Sequence, residues 1–357
     1  MRGQMCGLTR CPLDAWISQA TGVPGPDPEA LRRWQEEHLY ALTQWAKARS
    51  PFYAEHLADL PDLAESPGEI ADLPFLTPDH LREHSERMLC VSQGDVDRVV
   101  TLNTSGTSGR PKRLFFTGRE LEDTLDFFRV GMASFTAPGD AVLILLPGRR
   151  EDCAAMLLAR ALTEIGVRPV LAPQPCTPQE AVRLISQEAV TCLAALPSQL
   201  RALLTLSQDG PAWPRALDRA LLSGEPVPAE LRRRADEAGI EIYAHYGLTE
   251  TCFGGGVECG AHHGYHLREA DLLVEIVNPV TGQAVALGRE GEVVISTLSR
   301  RGMPLLRYRT GDMARMLPGP CPCGSPLRRL GPITGRIQTT GDTVHVFTPE
   351  KGTANAL

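Results

Sequence analysis

The chain has 357 residues, of which 43% are hydrophobic and 22% charged, so it can build about two domains around a sizeable apolar core. Its net charge of −7 excludes the broad basic surface that nucleic acid requires, and its apolar runs, such as residues 141–146, are far too short to span a membrane. Ten cysteines are too sparse for a disulfide scaffold, and no apolar leader opens the chain, which favours a cytoplasmic protein with free or metal-bound thiols.

The first predicted elements are helices. Asp27 is a typical N-cap residue with Pro28 at the first helical position, and apolar residues follow at helical spacing as far as Trp45. A second helix-start signal lies at residues 77–79. Residues 1–95 are therefore predicted to form an N-terminal helical subdomain.

Strands and helices alternate from about residue 97 onward. The predicted strands are Arg98–Leu102, Ala141–Leu146, Arg168–Leu171, Thr191–Ala195, Arg219–Leu222 and Glu241–Tyr243. The predicted helices are Glu120–Phe128, Cys153–Ile165, Pro178–Gln187, Pro197–Leu206 and Ala229–Ala238. This alternation is typical of an α/β fold in which a mostly parallel sheet is flanked by helices, here over residues 96–250.

The texture changes after Glu250. Glycines crowd residues 254–264, and alternating runs at Leu272–Val277 and Glu292–Leu298 read as strands, so residues 251–336 are predicted to form a smaller β-rich subdomain. Residues 337–357 hold one strand candidate, Thr343–Phe347, and a polar tail.

A hydroxyl- and glycine-rich loop follows the first of these strands and is predicted to precede a helix. Its anion-binding candidates are Thr104, Ser105, Gly106, Thr107, Ser108, Gly109 and Lys112. Tight glycine turns, backbone N–H groups and a basic end can wrap a polyphosphate, although the spacing is not that of a Walker A loop. A flexible Ser/Gly loop is the alternative interpretation. Lys112 is one of only three lysines in the chain.

Two further segments lie at predicted strand ends, where ligands bind in open parallel sheets. Tyr246-Gly247-Leu248-Thr249-Glu250 combines an aromatic ring, a hydroxyl and a carboxylate, which can stack a base, touch a phosphate and hold Mg²⁺. Gly224-Glu225-Pro226 follows another strand. The alternative for the first segment is a turn with a solvated glutamate.

The last motif is Tyr308-Arg309-Thr310-Gly311-Asp312. Asp312, expected in a tight glycine turn, could accept hydrogen bonds from both hydroxyls of a ribose, whereas an ordinary Asp-containing turn is the alternative.

The four motifs, in this order, resemble the core motifs of the adenylate-forming (ANL) superfamily. Residues 50–53, 73–75 and 303–312 are similar to the phenylacetate–coenzyme A ligase family in particular, and the likeness extends over roughly residues 30–336. The resemblance implies ATP-dependent activation of an aryl or other small carboxylic acid to an acyl-adenylate, followed by transfer to a thiol, usually coenzyme A.

The resemblance also assigns roles to residues. The loop at 104–109 and Lys112 would cradle the β- and γ-phosphates, Gly224, Glu225 and Pro226 would line the adenine slot, and Tyr246 would stack on the base. Thr249 would touch phosphate, Glu250 would hold Mg²⁺, Asp312 would bind the ribose hydroxyls, and Arg336 would lie near ribose or phosphate. The active site is expected where these motifs converge. His245 and residues 251–256 are candidate linings of the acyl pocket.

A structural zinc site is the second implication of the resemblance. Its candidate ligands are Cys259, His266, Cys321 and Cys323, which would form a closed tetrahedral set. His262 and His263 compete with His266, which occupies the family's Gly-x-His position. Four ordinary residues around a tight Pro-Cys-Gly turn are the alternative.

The resemblance weakens after Gly335-Arg336. The family's hinge residue corresponds to Gln338, and residues 337–357 read as a remnant of hinge and tail without the small C-terminal lobe. That lobe carries a catalytic lysine in the family, and no motif supports Lys351 as its replacement. Three interpretations follow: a split ligase with a separate C-terminal lobe or an oligomer partner, a weakened enzyme, or a nucleotide- and carboxylate-binding protein without turnover.

Overall fold

The structure is a computed structural model, in which two compact units can be distinguished. It describes residues 11–25, 27–60, 70–102, 110–148, 150, 153–206, 216–340, 343–347 and 354–356. The first unit contains the described residues among 1–16, 122–266 and 320–325. The second contains those among 17–121, 267–319 and 326–357.

The helices and strands are numbered along the chain. The helices are α1 (Pro12–Thr21), α2 (Pro28–Arg49), α3 (Pro51–His56), α4 (Pro78–His84), α5 (Gly118–Met132), α6 (Ala154–Glu164), α7 (Pro178–Gln187), α8 (Pro197–Leu206) and α9 (Ala229–Glu237). The strands are β1 (Arg98–Leu102), β2 (Lys112–Phe116), β3 (Ala141–Ile144), β4 (Arg168–Leu171), β5 (Cys192–Ala195), β6 (Arg219–Ser223), β7 (Glu241–Tyr246), β8 (Gly256–Val257), β9 (Tyr265–Leu267), β10 (Leu272–Val277), β11 (Glu290–Thr297), β12 (Tyr308–Leu317), β13 (Arg329–Leu330), β14 (Gly335–Thr340), β15 (Thr343–Phe347) and β16 (Ala354–Ala356).

A parallel sheet forms the centre of the first unit. Its strand order is β4-β3-β5-β6-β7, all parallel, and the short β8 pairs antiparallel with β7. The crossover helices α7, α8 and α9 pack leucines, isoleucines and alanines against one face of these strands in a buried core. Both faces must be covered in such a sheet, which explains the continuous apolar runs of β3 and β5.

The second unit joins helices to antiparallel strands. Helix α2 begins at the predicted N-cap, where Asp27 Oδ1 accepts hydrogen bonds from the N–H groups of Glu29 and Ala30. Strands β10, β11 and β12 form an antiparallel run that continues through β14, β15 and β16, while β1 and β2 form a separate hairpin. The predicted fold class, mostly parallel sheet with helices plus a β-rich part, is confirmed.

Two local expectations are wrong. The loop that begins after β1 leads into the antiparallel partner strand β2, with Lys112 as its first residue, and helix α5 starts only at Gly118. Asp312 lies inside the long strand β12 and not in a tight turn. Three residues of β12, 310–312, lie opposite the single residue Val293 of β11, so a bulge accommodates Gly311 at a φ of 78°.

A half-buried ion pair joins strands β3 and β6 at their amino ends. The Arg219 guanidinium donates to both carboxylate oxygens of Asp140 at 2.9 Å and to the Phe135 carbonyl at 2.6 Å. Burial by itself would raise the pKa of Asp140, but the hydrogen bonds from Arg219, Ala137 and Thr191 outweigh it and lower that pKa.

Asp140→Asn is therefore expected to lower the free energy of unfolding by about 2 kcal/mol at pH 7, because it removes the charge-assisted hydrogen bonds of Arg219 to a half-buried carboxylate and leaves only the exposed Asp218 as an acidic partner. The lowered pKa makes this contribution constant above about pH 4, the usual pKa of aspartate, and it declines as pH falls through the lower folded value. Urea unfolding from pH 8 to 3 measures it. Asp218→Asn is the control, since Asp218 contacts the same Arg219 but is 58% exposed and should cost under about 1 kcal/mol. Equal losses in the two variants would contradict the assignment.

Candidate active site and metal centre

The first group of predicted site residues lies where β6 and β7 end. Gly224 follows β6 with a φ of 83°, and a Cβ there would come within 3.0 Å of Leu196 Cδ2. The Glu225 carboxylate accepts hydrogen bonds from the Ser198 backbone N–H at 3.0 Å and hydroxyl at 2.7 Å. Glu225 is thereby fixed to the start of α8, and Pro226 continues the loop beside it.

Tyr246 is the last residue of β7, so the strand runs three residues beyond its predicted end. Its ring is buried and lies 6.1 Å, centroid to centroid, from the ring of Tyr265. The chain then closes tightly on itself, since a Cβ at Gly247 would lie 2.1 Å from the Phe253 carbonyl oxygen. Only glycine fits there, which accounts for the Tyr-Gly pair in physical terms.

Glu250 lies in a single 3₁₀ turn, Thr249–Thr251, and its side chain is 7% exposed. The next two residues, Cys252 and Phe253, have φ values of 54° and 68°, a left-handed conformation that non-glycine residues rarely adopt. Thr124 Oγ1 of α5 donates a 3.1 Å hydrogen bond to the Cys252 carbonyl and holds this conformation. A buried carboxylate directly before a strained, anchored loop is typical of a functional site.

Of the residues predicted to bind phosphate in the loop after β1, the structure describes only Lys112. Thr104, Ser105, Gly106, Thr107, Ser108 and Gly109 lie outside them. Lys112 belongs to the second unit, half-buried at the start of β2, where it is paired in register with Leu102. Lys351 also lies outside the described residues, and Gln338 lies in β14.

Asp312 and Arg336 come together in the second unit. They are register partners on β12 and β14, with Arg336 Nη1 3.8 Å from Asp312 Oδ1. Asp312 is buried, whereas the Arg336 side chain is 65% exposed. The Thr310 hydroxyl holds the backbone of the bulge, since it accepts from the Asp312 N–H at 3.0 Å and donates to the Val293 carbonyl at 2.7 Å.

The four predicted zinc ligands meet within the first unit. The ligand atoms of Cys259, His266, Cys321 and Cys323 are all buried and lie within 4.8 Å of one another. Cys259 Sγ is 3.7 Å from Cys321 Sγ, and Cys323 Sγ is 3.7 Å from His266 Nε2. Bonds of about 2.3 Å to sulfur and 2.0 Å to nitrogen in a tetrahedron would separate such atoms by about 3.8 and 3.6 Å, so the set fits zinc.

Local structure explains how these ligands are presented. Residues 321–325 form a turn, closed by the Gly324 N–H donating to Cys321 O at 2.8 Å, and Ser325 Oγ donates to Asp14 at 2.7 Å. His262, one of the competing histidines, is instead bound through Nε2 to Glu241 at 2.8 Å. Burial raises the pKa of the Cys259 and Cys321 thiols, and a bound dication would reverse that preference.

Glu258 connects the candidate metal centre to strand β7. Both of its carboxylate oxygens accept from Arg232 of α9 at 2.8 Å, and one also accepts from the Ala244 backbone N–H at 2.8 Å. Ala244 lies two residues before Tyr246 on β7, and its hydrogen-bond partner Glu258 directly precedes Cys259. The segment that contains Cys259 is therefore attached to β7 close to the carboxyl end of that strand.

One polar pair was not predicted from the sequence. Ser223 Oγ, at the end of β6, lies 2.8 Å from His245 Nδ1, next to the end of β7. Sequence reasoning named His245 as a candidate lining of the acyl pocket but not its contact with Ser223, because that contact depends on the register that sets Ser223 opposite His245.

Among the described residues, none of the helices combines the length and the apolar character needed to cross a membrane.

Comparison with known proteins identifies the family of the chain. The family model described as AMP-binding enzyme matches residues 50–299. The chain is 30% identical over 318 residues to phenylacetate-coenzyme A ligase of Thermus thermophilus, covering 86% of this chain and 71% of that protein. Over 328 residues it is 30% identical to the Pseudomonas putida enzyme of the same name, with the same shares.

A crystal structure of 2-hydroxyisobutyryl-CoA ligase, in an open conformation with 2-HIB-AMP and CoA, superposes with a TM-score of 0.77 at 18% identity. It covers 89% of this chain and 79% of that one, and at this identity it supports the fold alone. The chain belongs to the AMP-binding enzyme family and resembles its phenylacetate–coenzyme A ligases.

Proposed function

We propose that this protein is an AMP-forming acid–thiol ligase that activates a small carboxylic acid with ATP and passes the acyl group to coenzyme A. The observation that carries the proposal is the buried Glu250, held by a strained loop at the carboxyl end of the parallel sheet in a chain of the AMP-binding family. Ligands bind at this end of such sheets. Membership of a family of ligases favours catalysis over a binding role without turnover.

The reaction has two steps. A carboxylate oxygen of the acid attacks the α-phosphorus of ATP, the bond to the bridging oxygen breaks, and pyrophosphate leaves with that electron pair. The thiol of coenzyme A then attacks the acyl carbonyl, and AMP leaves as the thioester forms. Little covalent work falls to the protein, so positioning and charge neutralisation dominate catalysis.

The predicted site residues at the ends of β6 and β7 each have a role in this reaction. Tyr246 stacks on the adenine, and Gly224, Glu225 and Pro226 form the edge of its slot. Thr249 hydrogen-bonds a phosphate oxygen. Glu250 holds Mg²⁺, which would neutralise charge on the phosphates when bound; a buried carboxylate is a suitable hard oxygen ligand for it.

The remaining predicted residues have the following roles in the proposal. Asp312 accepts the hydroxyls of the ribose, and the exposed Arg336 guanidinium, beside it on β14, contacts ribose or phosphate. Lys112 and the 104–109 loop neutralise the β- and γ-phosphates. The Cys259, His266, Cys321 and Cys323 set of the first unit holds a structural zinc ion; its four buried ligand atoms lie within 4.8 Å of one another, and two pairs of them are 3.7 Å apart, close to the spacing around tetrahedral zinc.

ATP–pyrophosphate exchange with a panel of aryl and short aliphatic acids tests the proposal. We expect exchange that depends on both an acid and Mg²⁺, with thioester formed when coenzyme A is added. Exchange reports the first step alone, and therefore separates adenylation from thiol transfer. Absence of exchange with every acid, in protein that binds ATP measurably, would leave only nucleotide binding.

A further inference from the structure

His245 has a buried ring nitrogen at the carboxyl end of β7 for which the described part of the chain supplies no hydrogen-bond partner. Nε2 is buried and makes no hydrogen bond within the part of the chain that the structure describes, while Nδ1 is engaged by Ser223 Oγ at 2.8 Å. A buried polar atom left unsatisfied costs about 1–3 kcal/mol. Such an atom at a strand end that receives ligands is a point at which a bound molecule can repay that cost.

The surroundings of the ring are aromatic. The rings of Phe127 and Phe128, on α5, have centroids 6.1 and 6.3 Å from that of His245. Side chains alternate along a strand, so His245 lies on the same sheet face as Tyr243, whose ring stacks on Phe135 at 4.2 Å. Tyr246 projects from the opposite face. The two sides of this strand end can therefore receive different parts of one acyl-adenylate.

The chemistry of the Ser223–His245 pair indicates which functional group of a substrate it can bind. Burial lowers the pKa of His245 to about 4, so the ring is neutral at physiological pH and does not pair with a carboxylate as a cation. If Nδ1 carries the proton and donates to Ser223, Nε2 is an acceptor; if the Ser223 hydroxyl donates, Nε2–H is a donor. A hydroxyl satisfies either tautomer, because it both donates and accepts.

We propose that His245 is a specificity-determining residue whose Nε2 hydrogen-bonds a hydroxyl group on the acyl part of the substrate, which makes hydroxylated aryl carboxylic acids the preferred substrate class. This inference rests on the proposed ligase function and deepens it. Ser223 is a positioning residue, since it orients the imidazole. The rings of Phe127 and Phe128 provide the apolar contact that favours an aryl group over a short aliphatic one.

Matched acid pairs test the inference. Benzoate and phenylacetate are compared with each of their ring-hydroxylated isomers in ATP–pyrophosphate exchange. We expect the wild type to prefer at least one hydroxylated acid over its parent by on the order of 10- to 100-fold in kcat/KM, since the unhydroxylated acid leaves Nε2 unpaired. The preference should be unchanged between pH 6 and 8, because the ring stays neutral across that range.

Two variants isolate the residue. His245→Phe should reduce the preference to about one or invert it, because nothing remains for the hydroxyl to bond. Tyr243→Phe is the matched control, since it removes a hydroxyl from the same face of the same strand and should keep the wild-type ratio. If His245→Phe does not fold, Ser223→Ala, which retains the ring and removes its anchor, should weaken the preference. A preference that survives both His245→Phe and Ser223→Ala overturns the inference.

A binding measurement keeps the inference separate from the proposed function. The same pairs, prepared as acyl-sulfamoyl adenosines, are titrated by calorimetry, which requires no turnover. Tighter binding of a hydroxylated member by wild type, lost in His245→Phe, supports the inference even when exchange is absent. Equal affinities within every pair overturn it even when exchange is robust.

Discussion

Replacement of Glu250 by glutamine is expected to lower ATP–pyrophosphate exchange by on the order of 100-fold or more, while the protein remains folded. The amide keeps the size and the hydrogen-bonding shape of the carboxylate but removes its charge, and a neutral amide oxygen is a much weaker ligand for Mg²⁺. Because Glu250 is buried, no solvent-exposed carboxylate can simply replace it.

The design of this experiment separates metal binding from fold. Exchange is measured over a range of Mg²⁺ concentrations, and circular dichroism and urea unfolding check the structure. We expect Glu250→Gln to need a higher Mg²⁺ concentration for its residual activity. Glu237→Gln is the control, since Glu237 is a glutamate of the same unit whose side chain is 61% exposed on α9. Wild-type exchange and wild-type Mg²⁺ dependence in Glu250→Gln would remove the residue from the mechanism.

The strained loop that follows Glu250 is the structural reason why Glu250→Gln is expected to have a large effect on exchange. Cys252 and Phe253 adopt left-handed backbone angles that cost of order 1–3 kcal/mol each, and the hydrogen bond from Thr124 helps to hold them. A loop held in this way limits the positions open to the carboxylate before any ligand arrives. Preorganised charge is what lets a site neutralise a polyphosphate without further rearrangement.

The parallel sheet was predictable because its strands carry their signal locally. Buried strands such as β3 and β5 read as short apolar runs, and helices between them read from apolar spacing and N-caps. Strand β12 gives no such signal, since it holds arginines, a glycine and Asp312 among its apolar residues. Its identity as a strand comes from pairing with β11 and from the bulge at 310–312, which only tertiary structure reveals.

Contacts across long sequence separations limited the prediction of the site in the same way. The motifs identified Tyr246 and Glu250, but not the Ser223–His245 contact, which joins residues 22 apart through strand register. The zinc ligands came from family resemblance alone, because residues 259 and 321 are 62 apart and no local pattern brings them together. Register and long-range packing are properties of the folded chain.

Removal of the metal is expected to destabilise the protein by on the order of 5 kcal/mol and to leave it below full activity. The four ligand atoms lie within 4.8 Å of one another, so without a cation three buried thiols and an imidazole would be packed together with no metal bonds to hold them. Elemental analysis should give one zinc per chain, and Cys321→Ser should lose it. Cys176→Ser is the control, since Cys176 is half-buried outside the cluster and should keep both zinc and stability.

Two histidine variants test which histidine binds zinc, and exchange measurements test whether zinc loss affects the candidate active site. His266→Ala should lose zinc, whereas His263→Ala, an exposed histidine of the same loop, should retain it. Zinc affinity should decrease as pH falls, because cysteine and histidine bind the metal only when deprotonated and protons then compete with it. Since Glu258 ties the segment before Cys259 to Ala244 of β7, zinc loss should also reduce ATP–pyrophosphate exchange. A metal-free preparation with wild-type stability and exchange would contradict the zinc assignment.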